Sequence, residues 1–149
     1  MPDTTHLSST ERAAAEKAVR DLTNRCMRAS ENKDLDGAME MVADDIVSFE
    51  HDAPLAYEGV DAVREVCKRG IDQMSGDLKL DIKELKTIVR DDIAVMWGFN
   101  VMKADGQEMY SRFTRVFQKV DGAWKAIHQH LSFPYDPETG EAKLDLKPN

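Results

Sequence analysis

Two runs near the C-terminal end place side chains of catalytic type at every second position. In Trp124-Lys-Ala-Ile-His-Gln-His-Leu-Ser132 these are His128, His130 and Ser132, and in Tyr110-Ser-Arg-Phe-Thr114 they are Tyr110, Arg112 and Thr114. Alternate residues of an extended strand share a face. Trp124, Ala126, His128, His130 and Ser132 are therefore expected on one face, with Lys125, Ile127, Gln129, Leu131 and Phe133 on the other. Likewise Tyr110, Arg112 and Thr114 oppose Met109, Ser111, Phe113, Arg115 and Phe117. A turn at Asp121-Gly122 puts Val120 opposite Ala123. On that register Arg112 lies across from about Leu131 and diagonal to His130 and Ser132, within reach of a long side chain. An arginine stays cationic and carries five donors. If buried, it needs a carboxylate, from Glu50, Asp52, Glu108 or the acid or enolate oxygen of a ligand. Two readings stand at this point: a polar pocket of Arg112, Thr114, His130 and Ser132, or an Arg112–Glu108 surface pair beside two core histidines.

Glu50-His51-Asp52 is the other candidate for chemistry. A general base must reach a proton next to a carbonyl. Glu50 and Asp52 share a parity and are the candidate carboxylates, while His51 faces the other way and could pass a proton. The plainer reading is a solvated strand end. His128-x-His130 would need a third ligand, His51 or Glu50, to hold zinc or iron, and no metal is expected. Trp97 and Phe99 share a face with Ile93 and Val95, either as the wall of an apolar pocket or as ordinary core or interface. No phosphate-cradling or dinucleotide motif is present, so no cofactor is expected.

These residues must be positioned by the surrounding elements. Ser8 stands three residues before Glu11, the form of a capping box. Ala14, Ala18, Val19, Leu22, Cys26 and Ala29 then recur at helical spacing to about Asn32. Asp34 caps a short second helix with the stripe Leu35, Ala38, Met39 and Val42, ended by Asp44-Asp45. A strand is expected at Ile46–His51 and a loop through Pro54 and Tyr57. A third helix opens at Gly59-Val60-Asp61, with Gly70 as a weak point. Strands follow at Leu78–Val89, Ile93–Lys103, Gln107–Val120 and Trp124–Phe133, joined by turns at Asp91-Asp92, Asp105-Gly106 and Asp121-Gly122. Residues 1–7 are expected to be flexible and 134–149 to form a tail. Helices followed by a meander indicate an α+β domain.

The chain has 149 residues, 42% hydrophobic and 32% charged, the size and composition of one globular domain. A net charge of −8 repels phosphate backbones, so no nucleic-acid partner is expected. Cys26 and Cys67 form no metal or redox motif. No basic n-region and no long apolar run appears. These features point to a cytoplasmic protein without a membrane partner.

Several segments resemble the nuclear transport factor 2-like superfamily, most closely its SnoaL-like and ketosteroid-isomerase-like bacterial members. They are Asn32-Lys-Asp-Leu-Asp-Gly-Ala-Met with Ala43-Asp-Asp-Ile, Ala53-Pro-Leu-Ala-Tyr-Glu-Gly-Val-Asp-Ala-Val-Arg64, Ser111-Arg-Phe-Thr114, Asp121 through Ser132, and the tail from Pro134 to Pro148. The resemblance spans about residues 10–148. It implies a cone-shaped, curved antiparallel sheet wrapped around a long N-terminal helix with two further helices. It favours His130 and Ser132 as cavity-facing, and strand parity carries His128 with them. The implied catalytic set is His130, Arg112, Glu50 and Asp52, and the implied ligand wall is Trp97, Phe99, Tyr57, Tyr110, Thr114, His128 and Ser132. The implied activity is cofactor-independent acid–base chemistry on a small apolar carbonyl or carboxylate compound: isomerisation, dehydration or polyketide-type cyclisation. A homodimer is also implied, and the alternative is a non-catalytic ligand-binding or dimerisation domain. The paired Tyr and protonated Asp of ketosteroid isomerases have no matching motif at Tyr57, Tyr110 or Tyr135.

Overall fold

Local sequence signals set most element boundaries in the computed structural model, which describes residues 6–74 and 76–148. Helix α1 spans Ser9–Glu31. It starts where the capping box predicts: the Ser8 hydroxyl accepts from the Glu11 N–H at 3.1 Å, and a Glu11 carboxylate oxygen accepts from the Ser8 N–H at 3.1 Å. Its buried stripe is Ala15, Val19, Leu22, Thr23 and Cys26, whereas Ala14 and Ala18 face solvent. Helix α2 is one turn, Leu35–Ala38, capped by the Asp34 side chain. Strand β1 covers Val42–Phe49, β2 Tyr57–Glu58 and helix α3 Val60–Gln73. Four long strands complete the chain: β3 Leu78–Arg90, β4 Ile93–Ala104, β5 Gln107–Val120 and β6 Ala123–Ser132.

Asp105-Gly106 and Asp121-Gly122 both have positive φ at their two residues, as a two-residue hairpin turn requires. The result is an α+β fold with one curved sheet in the order β2-β1-β6-β5-β4-β3. The sheet is mixed, because β1 runs parallel to β6 and every other pair is antiparallel. The β2 pairing falls in a segment expected to be a loop. Val42–Asp45 was expected to close α2 and instead belongs to β1. Backbone pairing overrides the helical stripe there: Met41 accepts from the Ala126 N–H at 2.6 Å, and Val42 is in register with Ala126.

One irregularity governs the site. Up to Phe117↔Ala126 the β5–β6 register is the one set by the turn, but Val116 then pairs with His128, leaving Ile127 as an extra residue. Such a bulge exchanges the faces of all later residues on its strand. Trp124 and Ala126 therefore pack into the core, while His128, His130 and Ser132 fall on the outer face. A second shift between Lys83 and Lys86 bends β3, with Glu84 at φ 55°.

The inner face of the sheet packs on α1 and α3. At one end Ile46, Met96, Phe117, Val19 and Val63 fill the space with hydrocarbon. At the other end the two layers enclose a hollow.

Of residues 1–7, expected to be flexible, only His6 and Leu7 are among the described residues. His6 bonds Asp91 through Nδ1 at 3.0 Å, and Leu7 packs on the core. The C-terminal segment folds back: Tyr135 bridges Ala142, Pro134 accepts from the Lys143 N–H at 2.7 Å, and Leu144 accepts from the Tyr110 N–H at 2.8 Å. Among the described residues no helix is long and apolar enough to cross a membrane.

Candidate functional site

The hollow measures about 440 Å³ and lies between α1, α3 and the inner faces of β3 to β6. Its polar wall comes from residues that alternate inward on β5 and, after the bulge, on β6: Ser111 and Arg115 from the first, Gln129 from the second. Beyond the end of β1 the period of two lapses, so Glu50 and His51 both reach the cavity although they are adjacent. Phe133 and Leu144 stand with His51 at the rim.

Arg115 is the strongest charge in this wall. It is only 8% exposed, and its Nε donates to Oε1 of Gln129 at 3.1 Å. The Gln129 amide then donates through Nε2 to Oε2 of Glu50 at 2.8 Å and to the Ser48 hydroxyl at 2.9 Å. Ser48 itself donates to the same Glu50 oxygen. One amide thus fixes the guanidinium and the carboxylate relative to each other, while Oε1 of Glu50 takes no bond from the described residues. Among the described residues no carboxylate forms an ion pair with Arg115, and no fully buried side-chain nitrogen lacks a partner. Its two terminal nitrogens must therefore open onto the hollow. Burial pulls its pKa below the ordinary guanidinium value, opposed by Cys26, Glu50 and Cys67. A guanidinium remains cationic even so. Its face also lies over the Phe113 ring, 5.1 Å from the centroid.

The remaining wall is apolar and rich in sulfur. Met27, Met41, Met74, Met102 and Met109 line it, together with the thiols of Cys26 and Cys67. Burial raises both thiol pKa values, that of Cys67 to about 11. Neither is an activated nucleophile, because the thiolate is the reactive form. His51 stacks on Phe133 with ring centroids 4.5 Å apart. Loss of water lowers its pKa, with Glu50 and then Asp52 pulling the other way. Exposed at the rim, His51 can pass a proton between the hollow and solvent.

The cluster expected on the pocket side does assemble, but outside. Thr114 pairs with His130 and Arg112 with Ser132, with Arg112 Nε donating to the Ser132 hydroxyl at 3.3 Å. Arg112, Thr114 and His130 are exposed. His128 and His130 meet Phe49 edge-on at 4.8 and 5.4 Å, and His128 Nδ1 bonds the Val47 carbonyl at 2.7 Å. A metal shared with His51 or Glu50 has no basis, because those two line the cavity on the opposite side of the sheet. Trp97 also points outward, 39% exposed, with Phe99 in the same outer row. The placement of Arg112, Thr114, His128, His130, Ser132, Trp97 and Phe99 in the cavity is thus overturned. The Ile127 bulge accounts for the β6 residues. The other four follow from the inner face being the one that carries Phe113, Arg115 and Phe117.

Tyr110 is buried beneath the returning tail, and its hydroxyl donates to Glu108. Tyr57 is buried in the core and, like Tyr110, does not line the hollow; it donates to the Ala53 carbonyl at 2.9 Å and accepts from Arg69 at 3.0 Å. Asp52 is exposed, 3.9 Å from Arg69, so it braces the loop. Of the expected catalytic residues, only Glu50 lines the hollow. Sequence reasoning missed Arg115, Gln129 and Ser111. The available signal was a lone cation between two phenylalanines, Phe113-Thr-Arg-Val-Phe117, on the more apolar face of β5.

A curved sheet folded over a long helix, with a polar-walled hollow between them, defines a nuclear transport factor 2-like protein. Within that class the chain belongs to the SnoaL-like domain family, whose model matches residues 19–136. It is similar to a nuclear transport factor 2-like protein of unknown function from Pseudomonas putida, at 30% identity over 91% of this chain and 98% of that one, with a TM-score of 0.86. A superfamily member from Salmonella enterica shares 15% identity over 88% and 99% of the two chains, with a TM-score of 0.71. A Streptomyces avermitilis protein, provisionally described as a dehydratase of this family, shares 15% identity over 80% and 96%, also with a TM-score of 0.71. No protein of curated function matches the chain.

Proposed function

We propose that the protein is a cofactor-independent acid–base enzyme acting next to the carbonyl of a small, largely apolar compound. The observation that supports this reading is the rigid Arg115–Gln129–Glu50 relay on the wall of an otherwise apolar hollow. Glu50 Oε1 takes the proton from the carbon beside the carbonyl. The electron pair left behind moves into the carbon–oxygen system, and the oxygen becomes negative. The terminal nitrogens of Arg115 stabilise that charge in a site with little water, where a fixed donor is most effective. Protonated Glu50 returns the proton to another carbon, completing an isomerisation, or gives it to a hydroxyl on the next carbon, which the enolate electron pair expels as water in a dehydration. His51, exposed at the rim, exchanges the proton with solvent. The provisional description of the Streptomyces relative agrees in direction, though at that identity the likeness concerns the fold alone.

The test is exchange of α-protons for deuterium, followed by NMR, with 3-benzoylpropionate and 1-tetralone as probes. Glu50→Gln should slow enzyme-dependent exchange by at least about 100-fold, the range of a lost general base. Equal rates in the wild type and Glu50→Gln would sink the proposal.

The outer face favours a homodimer. Phe49, Ile88 and Trp97, each 37% to 41% exposed, stand on one side of the sheet with Val95, Val116 and His128 between them. Two such faces packed together would bury these side chains. Light scattering should give twice the monomer mass, and Trp97→Glu should give the monomer. The two free thiols, Cys26 and Cys67, suit a reducing compartment, which supports a cytoplasmic location.

A further inference from the structure

We infer that the natural ligand of the cavity is an aromatic monocarboxylate, its carboxylate gripped by the two terminal nitrogens of Arg115 and its ring laid against the methionine wall. The inference rests on the proposed site, but it concerns recognition and not turnover.

The charge argument comes first. Arg115 is buried and, among the described residues, is bonded only through Nε, with no carboxylate in direct contact. Nε is already occupied, so the free edge of the guanidinium is the pair of terminal nitrogens. Such an edge takes the two oxygens of a carboxylate through parallel bonds. Glu50 supplies negative potential nearby but spends Oε2 on Gln129 and Ser48. Arg115 is the one arginine or lysine among the described residues lining the hollow, and the carboxylates of Glu50 and Asp81 line it as well, so one ligand carboxylate finds a partner at the fork while a second would meet like charge. Asn100 and Ser111 lie on the same wall, with Asn100 Nδ2 3.5 Å from the Ser111 hydroxyl, and add neutral polar groups beside the fork. If the carboxylate adjoins the reacting carbonyl, the same fork serves the charge before proton transfer and the enolate after it.

The wall argues for the ring. Eight methionines occur in the chain, and five of them line this one cavity. Thioethers are polarisable, adapt to irregular shapes and contact aromatic ring edges favourably. Phe133 and His51, stacked at the rim, extend that preference outward. A cavity of about 440 Å³ falls within the range of pockets that enclose small organic ligands.

The test is calorimetric titration of the full chain with 1-naphthoate, its neutral analogue 1-naphthamide, and decanoate. 1-Naphthoate should bind at least tenfold more tightly than either. Arg115→Met should remove the preference for the acid over the amide, and Arg115→Lys should restore part of it. With methyl-labelled methionine, 1-naphthoate should shift the NMR signals of Met27, Met41, Met74, Met102 and Met109, while Met39, outside the cavity, stays in place. Equal binding of acid and amide, an acid preference surviving in Arg115→Met, equal binding of decanoate, or no binding by 1-naphthoate each overturns the inference. If 1-naphthoate binds as expected while Glu50→Gln leaves α-proton exchange unchanged, the catalytic reading fails and the recognition reading stands.

Discussion

Replacing Arg115 by methionine should make the protein more stable while disabling its cavity. A guanidinium transferred from water into a protein interior loses hydration worth several kcal/mol after relaxation. Here no carboxylate is paired with it to recover that loss. Replacing a buried ion pair or triad by apolar residues of similar volume is often neutral or stabilising by about 1–4 kcal/mol, and a buried arginine with no carboxylate in contact belongs on the same side of that balance. Two terms oppose this gain. The contact with Phe113 at 5.1 Å is worth about 1 kcal/mol. The hydrogen bond to Gln129 is worth about 1.5 kcal/mol at the lower end for a charged donor, although water in the open hollow can replace it as a partner for Oε1. The balance is a stabilisation of about 1 kcal/mol, or a rise in Tm of about 2–4 °C for a chain of this size. Differential scanning calorimetry of the wild type and Arg115→Met, paired with the 1-naphthoate titration, reads both effects. A fall in Tm of more than about 3 °C would show that Arg115 is a structural strut whose charge is satisfied within the fold, and the ligand-directed reasoning would fail with it.

Cys67, with its thiol raised to about 11 from 9.0, should hold about 100-fold less thiolate at pH 8 than an unperturbed thiol, so iodoacetamide should label it correspondingly slowly until the protein is denatured. The sign for stability follows: the folded state keeps its proton longer, so this contribution is complete below pH 9 and is lost as pH rises through about 11, measurable as a falling denaturation midpoint. His51 behaves in the opposite sense, since its lowered pKa makes its contribution complete above about pH 6.5 and lost as pH falls through the folded value. Glu50→Gln removes a charge that supports the imidazolium, so NMR titration should show the His51 pKa dropping further, and an upward move would refute the pairing. Ser8→Ala removes half of the capping box and should cost about 1 kcal/mol, lowering Tm by about 2–4 °C.

Much of the fold was legible because the signals are local. The Ser8–Glu11 box, the Asp34 cap and the two Asp-Gly turns depend on residues within four positions of each other, and the structure carries all of them. The end of α2 was not legible. Val42 continues the apolar stripe of that helix, yet a hydrogen bond from Ala126, 85 residues distant from Met41, draws the chain into the sheet. The site was legible only at Glu50 and His51. Its partners Arg115 and Gln129 were visible as residues but were assigned to the other face, since a period of two marks which side chains share a side and not which side is covered by helices.

The sequence by itself determined the order of every element but β2, the turn positions, the family and the presence of polar residues on both faces of β5 and β6. Only the tertiary structure decided which of those residues meet. One extra residue at Ile127 turns His130 outward and Gln129 inward. Packing of α1 and α3 then determines that the Phe113, Arg115 and Phe117 face is enclosed. A bulge follows from the curvature a sheet needs to fold over a helix, and curvature belongs to the assembled layers, not to any local run of residues.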